Sequence, residues 1–184
     1  MAKLIYSAIT SVDGYIADRD GQFGWAEPDA EVHAFVNDLL RPVGTHLYGR
    51  RMFEVMRAWG DPAFVEGEPS VMVDFSGLWR AAEKIVYSST LEAANMERTR
   101  LERRFDAEAV RALKESSSAD LAIGGANLAA TAFAAGLIDE VHLLPAPVSV
   151  GGRTAAMPSF RVDLELLSTR QFSSGFAHLH YRVR

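Results

Sequence analysis

A glycine separates an apolar run from a helix-like segment at two places in this chain. Gly124 and Gly125 follow the apolar residues 121–123, and Gly49 stands in the same position ahead of residues 50–56. Short apolar runs that alternate with helices are typical of α/β domains, in which helices connect the strands of a mainly parallel sheet. This alternation limits the fold more than any other feature of the sequence.

The same alternation extends over the rest of the chain. Apolar runs predict strands at residues 3–10, 45–48, 84–88, 99–105, 121–123 and 141–150. Helices are predicted at residues 31–40, 50–56, 71–82, 107–115 and 127–135. Residues 162–172 and 176–183 alternate like antiparallel strands joined by a turn. We therefore expect a single α/β domain over residues 1–184, with a mixed, mainly parallel sheet flanked by helices and a C-terminal antiparallel hairpin.

A long irregular segment, residues 11–28, follows the first predicted strand. It contains three glycines and Pro28, but also large apolar side chains. A segment of this length without regular structure in a compact domain is usually either functional or disordered. Its apolar content favours an ordered loop that covers a site, and Asp29 is positioned to cap the helix that follows.

Composition and charge exclude several classes of protein. The formal net charge of −5 argues against nucleic-acid binding, because such proteins usually carry a basic face. The absence of cysteine excludes disulfide scaffolds, thiol nucleophiles and cysteine zinc sites. The longest uncharged run, residues 121–138, is interrupted by the glycine pair, so we expect no membrane span. The first residues are typical of a strand rather than a signal peptide, and we expect a cytoplasmic protein.

Both glycine turns have the chemistry of an anion site. Backbone N–H groups at the start of a helix attract phosphate, and a glycine leaves these groups accessible. A tight turn without a ligand explains Gly124 and Gly125 equally well. At the other turn, Arg50 and Arg51 follow Gly49 and add donors suited to phosphate, with a solvated pair of charges as the alternative.

Two further segments follow predicted strands, at the positions where open α/β sheets bind ligands. Ser88 and Ser89 follow the strand that begins at residue 84, and helix capping is the alternative explanation for them. Residues 11–17, with the sequence SVDGYIA, follow the first strand, and a simple turn is the alternative there. The sequence therefore collects polar and glycine-rich segments at one predicted edge of the sheet.

The C-terminal hairpin contains two histidines, His178 and His180. They are two residues apart in a predicted strand, so their side chains share one face. Metal binding requires a third ligand that the sequence does not identify, so we expect solvent-facing histidines and no metal. The chain has no G-x-S-x-G motif, so nothing supports a serine hydrolase.

As an ordered set, these segments resemble the dihydrofolate-reductase-like superfamily, in the branch related to the reductase domain of bifunctional riboflavin-biosynthesis deaminase-reductases. The resemblance is carried by SVDGYIA (11–17), GW (24–25), YGRRMFE (48–54), VYSSTL (86–91) and the block that begins IGGANLAA and ends PVSVGGR (123–153). Order and spacing match over nearly the whole chain. The deaminase half of the riboflavin enzymes is absent, because its zinc cysteines do not exist here.

The resemblance implies an NADPH-binding reductase fold. The residues expected to hold the pyrophosphate are Gly124, Gly125, Ala126, Asn127 and Leu128, where Ala126 replaces a usual third glycine. The residues expected along the phosphates and at the adenosine end are Gly49, Arg50, Arg51, Ser88 and Ser89, with an arginine at the 2′-phosphate. The residues expected beside the nicotinamide are Ala8, Ile9, Ile16 and Ala17.

The resemblance also implies substrate-facing and catalytic residues. Trp25 lies in the loop that is expected to close over the site, and Phe35 matches an aromatic residue of the following helix. A carboxylate is expected in the first turn of that helix. Matching Phe35 to the family's aromatic residue places Glu31 at this position, and Asp29 is the alternative. Asp13 is a third acidic candidate, and its alternative role is to fix the loop.

The implied reaction is hydride transfer from NADPH to a small heterocyclic or sugar-bearing substrate of the pteridine or aminopyrimidine type. Two alternatives stay open: the 5-amino-6-(5-phosphoribosylamino)uracil reductase step of riboflavin biosynthesis, and a non-catalytic NADPH-binding or sensing protein. The resemblance also implies a homodimer, for which the apolar residues 141–150 are the expected interface.

Overall fold

The computed structural model describes residues 1–184 and contains ten strands and five α-helices. The strands are β1 (Leu4–Ser11), β2 (Tyr15–Ala17), β3 (Val43–Gly49), β4 (Glu83–Tyr87), β5 (Thr99–Glu102), β6 (Asp120–Gly124), β7 (Glu140–Ala146), β8 (Thr154–Ala155), β9 (Leu164–Gln171) and β10 (Ala177–Val183). The helices are α1 (Ala30–Leu40), α2 (Arg50–Met56), α3 (Ser70–Ala81), α4 (Ala107–Ser116) and α5 (Ala126–Ala134). None of these helices combines the length and the apolarity needed to cross a bilayer.

Eight of the strands form one sheet in the order β5-β4-β3-β6-β1-β7-β10-β9. From β5 to β7 all neighbours pair in parallel, whereas β10 pairs antiparallel with both β7 and β9. β2 and β8 form a separate two-stranded sheet. The predicted fold, a mainly parallel sheet flanked by helices with a C-terminal antiparallel hairpin, is confirmed.

Two predicted strands end earlier than expected. The strand predicted at 99–105 ends at Glu102, because its partner β4 ends at the opposite residue, Tyr87. The strand predicted at 141–150 ends at Ala146, because the following residues leave the sheet and Val148 accepts a hydrogen bond from Val12 N at 2.8 Å. The chain after β7 therefore belongs to the loop region rather than to the sheet.

Both faces of the sheet are covered. On one face, side chains of β1, β3, β4 and β6 pack against the buried residues of α4 and α5, including Val110, Ala129 and Phe133. On the other face, α1 contributes Val32 to one apolar cluster, and α3 contributes Trp79 to a second. Burial on both faces is the reason for the almost continuous apolar run in β1.

The strand expected to serve a dimer interface lies inside the sheet. β7 is hydrogen-bonded to β1 on one side and to β10 on the other, and most of its side chains are buried. It therefore offers no free edge, and an interface over residues 141–150 stays a prediction. The homodimer itself stays a prediction.

His46 gives the fold a dependence on pH. Its ring is buried and stacks on Tyr48 with centroids 5.5 Å apart, and burial, followed by the nearby Lys84 charge, lowers the pKa of His46 from 6.5 to about 4. Because the folded-state pKa lies below the unfolded value, the unfolded chain takes up the proton first. The free energy of unfolding therefore falls as the pH decreases from about 6.5 to 4.

We expect His46→Phe to reduce this acid sensitivity, because phenylalanine keeps an aromatic ring beside Tyr48 and takes up no proton. The contribution of His46 over the whole window is about 3 kcal/mol, from the size of its pKa shift. Urea unfolding of the wild type and the variant at several pH values measures it. Equal slopes of stability against pH for the two proteins would contradict the assignment.

Candidate functional site

The two glycine turns lie side by side at one edge of the sheet. β3 pairs in parallel with β6, with Tyr48 opposite Gly124, so both strands turn into helices at the same level. A Cβ atom on Gly49 would lie 3.9 Å from Leu128 Cβ in the first turn of α5. The structure thus brings together the two turns that the sequence singles out.

Each member of the glycine pair has its own reason to be glycine. A Cβ atom on Gly124 would lie 2.8 Å from the ring of Tyr48, which is buried and accepts a hydrogen bond from Trp79. Gly125 has a φ of +95°, a conformation that other residues rarely adopt. The turn therefore requires both glycines on local grounds, and the same geometry leaves the start of α5 uncovered.

The first turn of α5 has backbone donors without acceptors. Gly125, the N-cap, has no side chain to accept a hydrogen bond, and the first helical bond runs from Ala129 N to Gly125 O at 3.0 Å. The N–H groups of Ala126, Asn127 and Leu128 precede that bond, so they have no acceptor within the helix. Because they also lie at the positive end of the helix dipole, they can bind an anionic group.

Arginines occupy the start of the neighbouring helix α2. Arg50 Nε lies 2.7 Å from Glu54 Oε1, and Arg50 Nη1 donates to Thr90 Oγ1 at 3.0 Å. Arg51 is exposed and forms no ion pair. The contact with Thr90 places Arg50 between the turn after β3 and the segment after β4.

Ser88 and Ser89 follow β4 at this same edge. Ser88 is buried, and its Oγ accepts hydrogen bonds from Thr90 N at 3.3 Å and Leu91 N at 3.0 Å. The local capping alternative is therefore correct for the Ser88 hydroxyl, although the residue lies where the sequence places it. Ser89 is exposed and adjacent to Thr90, the residue that Arg50 contacts.

The sheet opens beside the glycine turn that follows β6. β1 pairs with β6 only from Leu4 to Tyr6, whereas its pairing with β7 continues to the end of the strand. Over residues 7–11, the edge of β1 that faces β6 has no strand partner, and we call this gap in the strand pairing, at the carboxyl ends of the strands, the cleft. Ligands bind at such positions in open α/β sheets. Ala8 and Ile9 are half-buried along this cleft.

The loop after β1 is bound to the segment after β7. Asp13 accepts hydrogen bonds from Val150 N at 3.1 Å and from Gly151 N at 2.8 Å. Hydrogen bonds from the Ser11 hydroxyl and from these two amides hold the pKa of the Asp13 carboxyl well below its usual range. Asp13 therefore fixes the loop, which is its alternative role, and a catalytic role for it stays a prediction.

The same segment holds β2 in place. β2 pairs with β8, and a Cβ atom on Gly152 would overlap the carbonyl oxygen of Ala17. Ile16 and Ala17 are half-buried in this small sheet. Residues 147–156 are thus structural partners of the loop, which the sequence interpretation missed. Their signal was the pair Gly151-Gly152, because glycines outside a helix often mark a close approach of two backbones.

Trp25 lies in the loop after β1 and packs against the apolar cluster that Ile9 joins. It stands in a short 3₁₀ turn, Gly24–Ala26, and its indole Nε1 donates to Gln22 O at 3.1 Å. Trp25 and Ile9 pack against the same apolar cluster, which contains Val32 of α1. The loop between β1 and α1 is therefore ordered and lies against β1.

The acidic residues at the start of α1 contact the C-terminal hairpin. Glu31 pairs with Arg170 Nη2 at 3.1 Å and accepts a hydrogen bond from Ser173 Oγ at 2.9 Å. Asp29 caps α1, and the Ser174 hydroxyl is the main cause of the lowered pKa of its carboxyl. Both carboxylates are thus tied to the turn between β9 and β10.

Phe35 belongs to the same contact between α1 and the C-terminal hairpin. Its ring lies 5.2 Å from the ring of Phe172 and 4.7 Å from that of His178, measured between centroids. Glu31 and Asp29 therefore contact the C-terminal hairpin, whereas Phe35 also packs against the apolar cluster that includes Ile9 and Trp25, and the substrate-facing roles of all three stay predictions. The expectation overlooked the C-terminal hairpin, whose serines and Arg170 bind the first turn of α1.

The histidines of the hairpin are not solvent-facing, so that prediction was wrong. His178 is only 4% exposed, and His180 stacks on His142 of β7 with centroids 4.1 Å apart. Burial lowers the pKa of His142 and of His178 to about 4. The sequence could not reveal this environment, because β10 gains its neighbour β7 only in the folded sheet.

This chain is similar to proteins of known sequence and to others of known structure. The model of the RibD C-terminal domain matches residues 2–178. YyaP of Bacillus subtilis (strain 168) is 28% identical over 185 residues, which cover 97% of this chain and 94% of that protein.

Three solved structures cover the whole chain. A protein assigned to riboflavin biosynthesis in Shewanella sp. PV-4 has a TM-score of 0.77 at 19% identity, over 99% of its own length. A pyrimidine reductase-like protein from Corynebacterium diphtheriae has a TM-score of 0.66 at 16% identity, over 92% of its length. The diaminohydroxyphosphoribosylaminopyrimidine deaminase/5-amino-6-(5-phosphoribosylamino)uracil reductase of Thermotoga maritima has a TM-score of 0.69 at 15% identity, with 57% of its chain covered.

At such identities these structures establish the fold, and the match of the domain model establishes the family. The mainly parallel sheet, its flanking helices and its C-terminal hairpin match the fold of these structures. This chain belongs to the RibD C-terminal domain family.

Proposed function

We propose that this protein is an NADPH-dependent reductase that transfers a hydride to a small heterocyclic or sugar-bearing substrate of the pteridine or aminopyrimidine type. The observation that carries the proposal is the uncapped first turn of α5 beside the unpaired edge of β1. It offers a phosphate site and an open cleft next to each other. The family and the reductase named among the similar structures support the same class of reaction.

The residues at the cleft fit the dinucleotide with its adenosine end toward the segment after β4 and its nicotinamide end along β1. The amides of Ala126, Asn127 and Leu128 bind the pyrophosphate, because they are the donors that lack acceptors. Arg50 lies toward the segment after β4 and binds the phosphate at the adenosine end. These contacts leave the other half of the cofactor for the cleft along β1.

Ala8 and Ile9 line the nicotinamide end of this arrangement. β2 stands beside them with Ile16 and Ala17, and Trp25 packs against the cluster that Ile9 joins. When bound there, NADPH supplies the hydride, and these apolar side chains orient the ring and exclude water. Ordered apolar walls of this kind also define the space that is left for the substrate.

The first test of this proposal is a binding titration with NADPH and with NADH, followed by cofactor fluorescence. We expect NADPH to bind at least tenfold more tightly, because a hydrogen bond between charged groups is worth about 1.5–3 kcal/mol. Arg50→Gln is expected to remove most of this preference. Arg57→Gln, which removes the same charge at the other end of α2, is the matched control.

Two outcomes would decide against the proposal. If neither cofactor binds, the glycine turns serve the fold alone and the reductase function fails. If NADPH and NADH bind equally and Arg50→Gln changes nothing, the arginine has no role at the 2′-phosphate.

A second candidate is 5-amino-6-(5-phosphoribosylamino)uracil reductase activity. The Thermotoga maritima enzyme that shares the fold carries this activity in its name. A phosphorylated ribose requires a cation near the substrate, and Arg153 is exposed beside β8, whose Thr154 pairs with Ala17. NADPH oxidation with this aminouracil and with a panel of pteridines separates the two candidates. Cofactor binding without any oxidation would favour a non-catalytic NADPH-binding protein.

A further inference from the structure

A cluster of three histidines and one glutamate lies on the α1 face of the sheet, outside the proposed cofactor cleft. Glu140 and His142 alternate along β7, so both side chains point to the same face. His180 of β10 stands directly opposite His142 in the antiparallel ladder. Three potential ligands are therefore held by the backbone of two hydrogen-bonded strands.

We propose that Glu140, His142 and His180 form a binding site for a divalent transition-metal cation, with Zn²⁺ as the best fit. One ligand atom from each residue lies within 4.8 Å of the others. Two imidazole nitrogens and one carboxylate oxygen are a ligand set that zinc accepts, with the fourth position open.

One pair in the cluster is hydrogen-bonded, His180 Nε2 with Glu140 Oε2, and His142 stands just beyond hydrogen-bond distance of the same oxygen. His142 Nε2 lies 3.9 Å from Glu140 Oε2, which is too long for a hydrogen bond, and His180 Nε2 lies 3.2 Å from the same oxygen. Two ligands on one tetrahedral zinc are separated by roughly 3.4 Å, from bonds of about 2.0–2.2 Å. Because the His142 and His180 rings stack with planes 15° apart, zinc binding requires the His180 ring to turn out of this stack until its Nε2 faces the same point as His142 Nε2.

His178 orients His142 for this role. His178 Nε2 lies 2.9 Å from His142 Nδ1. When His142 donates its Nδ1–H across this contact, its Nε2 carries the lone pair and faces Glu140. Metal-binding histidines are commonly held in this way by a hydrogen bond at the other ring nitrogen.

Access suits a cation that displaces the Lys3 ammonium from Glu140. Lys3 Nζ binds Glu140 Oε1 at 2.8 Å, which leaves Oε2 directed toward the two histidines. The Lys3 side chain is 53% exposed, so it can turn to solvent when a dication enters. A surface groove lined by Lys3, Glu140 and Arg182 leads from solvent to the carboxylate.

The experiment uses the full-length chain without a polyhistidine tag, freed of metal by a chelator and then dialysed against Zn²⁺. We expect one zinc ion per chain, measured by elemental analysis, and a rise in the thermal unfolding midpoint on zinc addition. His180→Gln and Glu140→Gln should each weaken zinc binding at least tenfold, since even residues outside the ligand set change affinity by about 10–100-fold.

His33→Gln is the matched control, because His33 lies on α1 outside the cluster and contacts Asn37. Its zinc affinity should equal that of the wild type. The cobalt(II) form provides a second measurement, since its visible absorption reports the coordination geometry and should be lost in His180→Gln. Failure of the wild type to retain zinc, or equal zinc affinity in His180→Gln and the wild type, would overturn the proposal.

Discussion

Replacing Gly125 by alanine is expected to weaken NADPH binding at least tenfold while the domain still folds. Gly125 has a φ of +95°, where an L-residue carries a strain of about 1–3 kcal/mol. A Cβ atom would meet Met52 Cβ at 3.5 Å, which is an ordinary contact, so relief of the strain comes from movement of the backbone. That movement turns the amides of Ala126 and Asn127 away from the phosphate.

Gly136→Ala is the matched control for this change. Gly136 follows the other end of α5, also has a positive φ of +63°, and has nothing within 4 Å of an added Cβ atom. Gly136→Ala introduces backbone strain at the end of α5 that lies away from the cleft. NADPH affinity should therefore stay at the wild-type value. Isothermal titration with both variants measures the difference. Unchanged affinity in Gly125→Ala would show that the first turn of α5 does not hold the cofactor.

Trp79→Ala is expected to lower the free energy of unfolding by about 3–5 kcal/mol, because it empties a large volume in a packed core. Trp79 is 1% exposed, and its Nε1 donates to Tyr48 Oη at 3.1 Å. The Tyr48 ring in turn lies against Gly124. Loss of the indole therefore removes the support of the glycine turn as well as part of the core.

Trp79→Phe separates these two effects. It keeps an aromatic ring in the core but leaves the Tyr48 hydroxyl without its donor, so a smaller loss of stability is expected. Urea unfolding of the two variants measures their free energies of unfolding. NADPH titration of the folded variants shows whether loss of support at the glycine turn changes cofactor affinity. A loss below about 1 kcal/mol in Trp79→Ala would contradict the packing described for this cluster.

The residues around the cleft show how far local pattern predicts a site. Gly124, Gly125 and Gly49 follow apolar runs and precede helices, and in a parallel sheet such turns gather at one edge. The structure confirms that they are neighbours. Ser88 was also placed at this edge, but its hydroxyl is used by Thr90 N and Leu91 N, which a strand pattern does not reveal.

The acidic residues show where local pattern fails. The sequence correctly predicts Asp29 as the cap of α1, because capping depends on residues within one turn. It does not predict that Glu31 pairs with Arg170, since 139 positions separate them along the chain. The hydrogen bonds of Asp13 are equally hard to predict from the sequence, because its partners Val150 and Gly151 come from the distant segment after β7.

The sequence by itself determined the alternation of strands and helices, the glycine turns and the C-terminal hairpin, because periodicity, capping and turn geometry act over a few residues. Only the tertiary structure decided which strands are neighbours. Pairing β10 with β7 buried His178 and placed His180 opposite His142. Such contacts depend on the order of strands in the sheet, which is fixed by the packing of the whole chain rather than by any local segment.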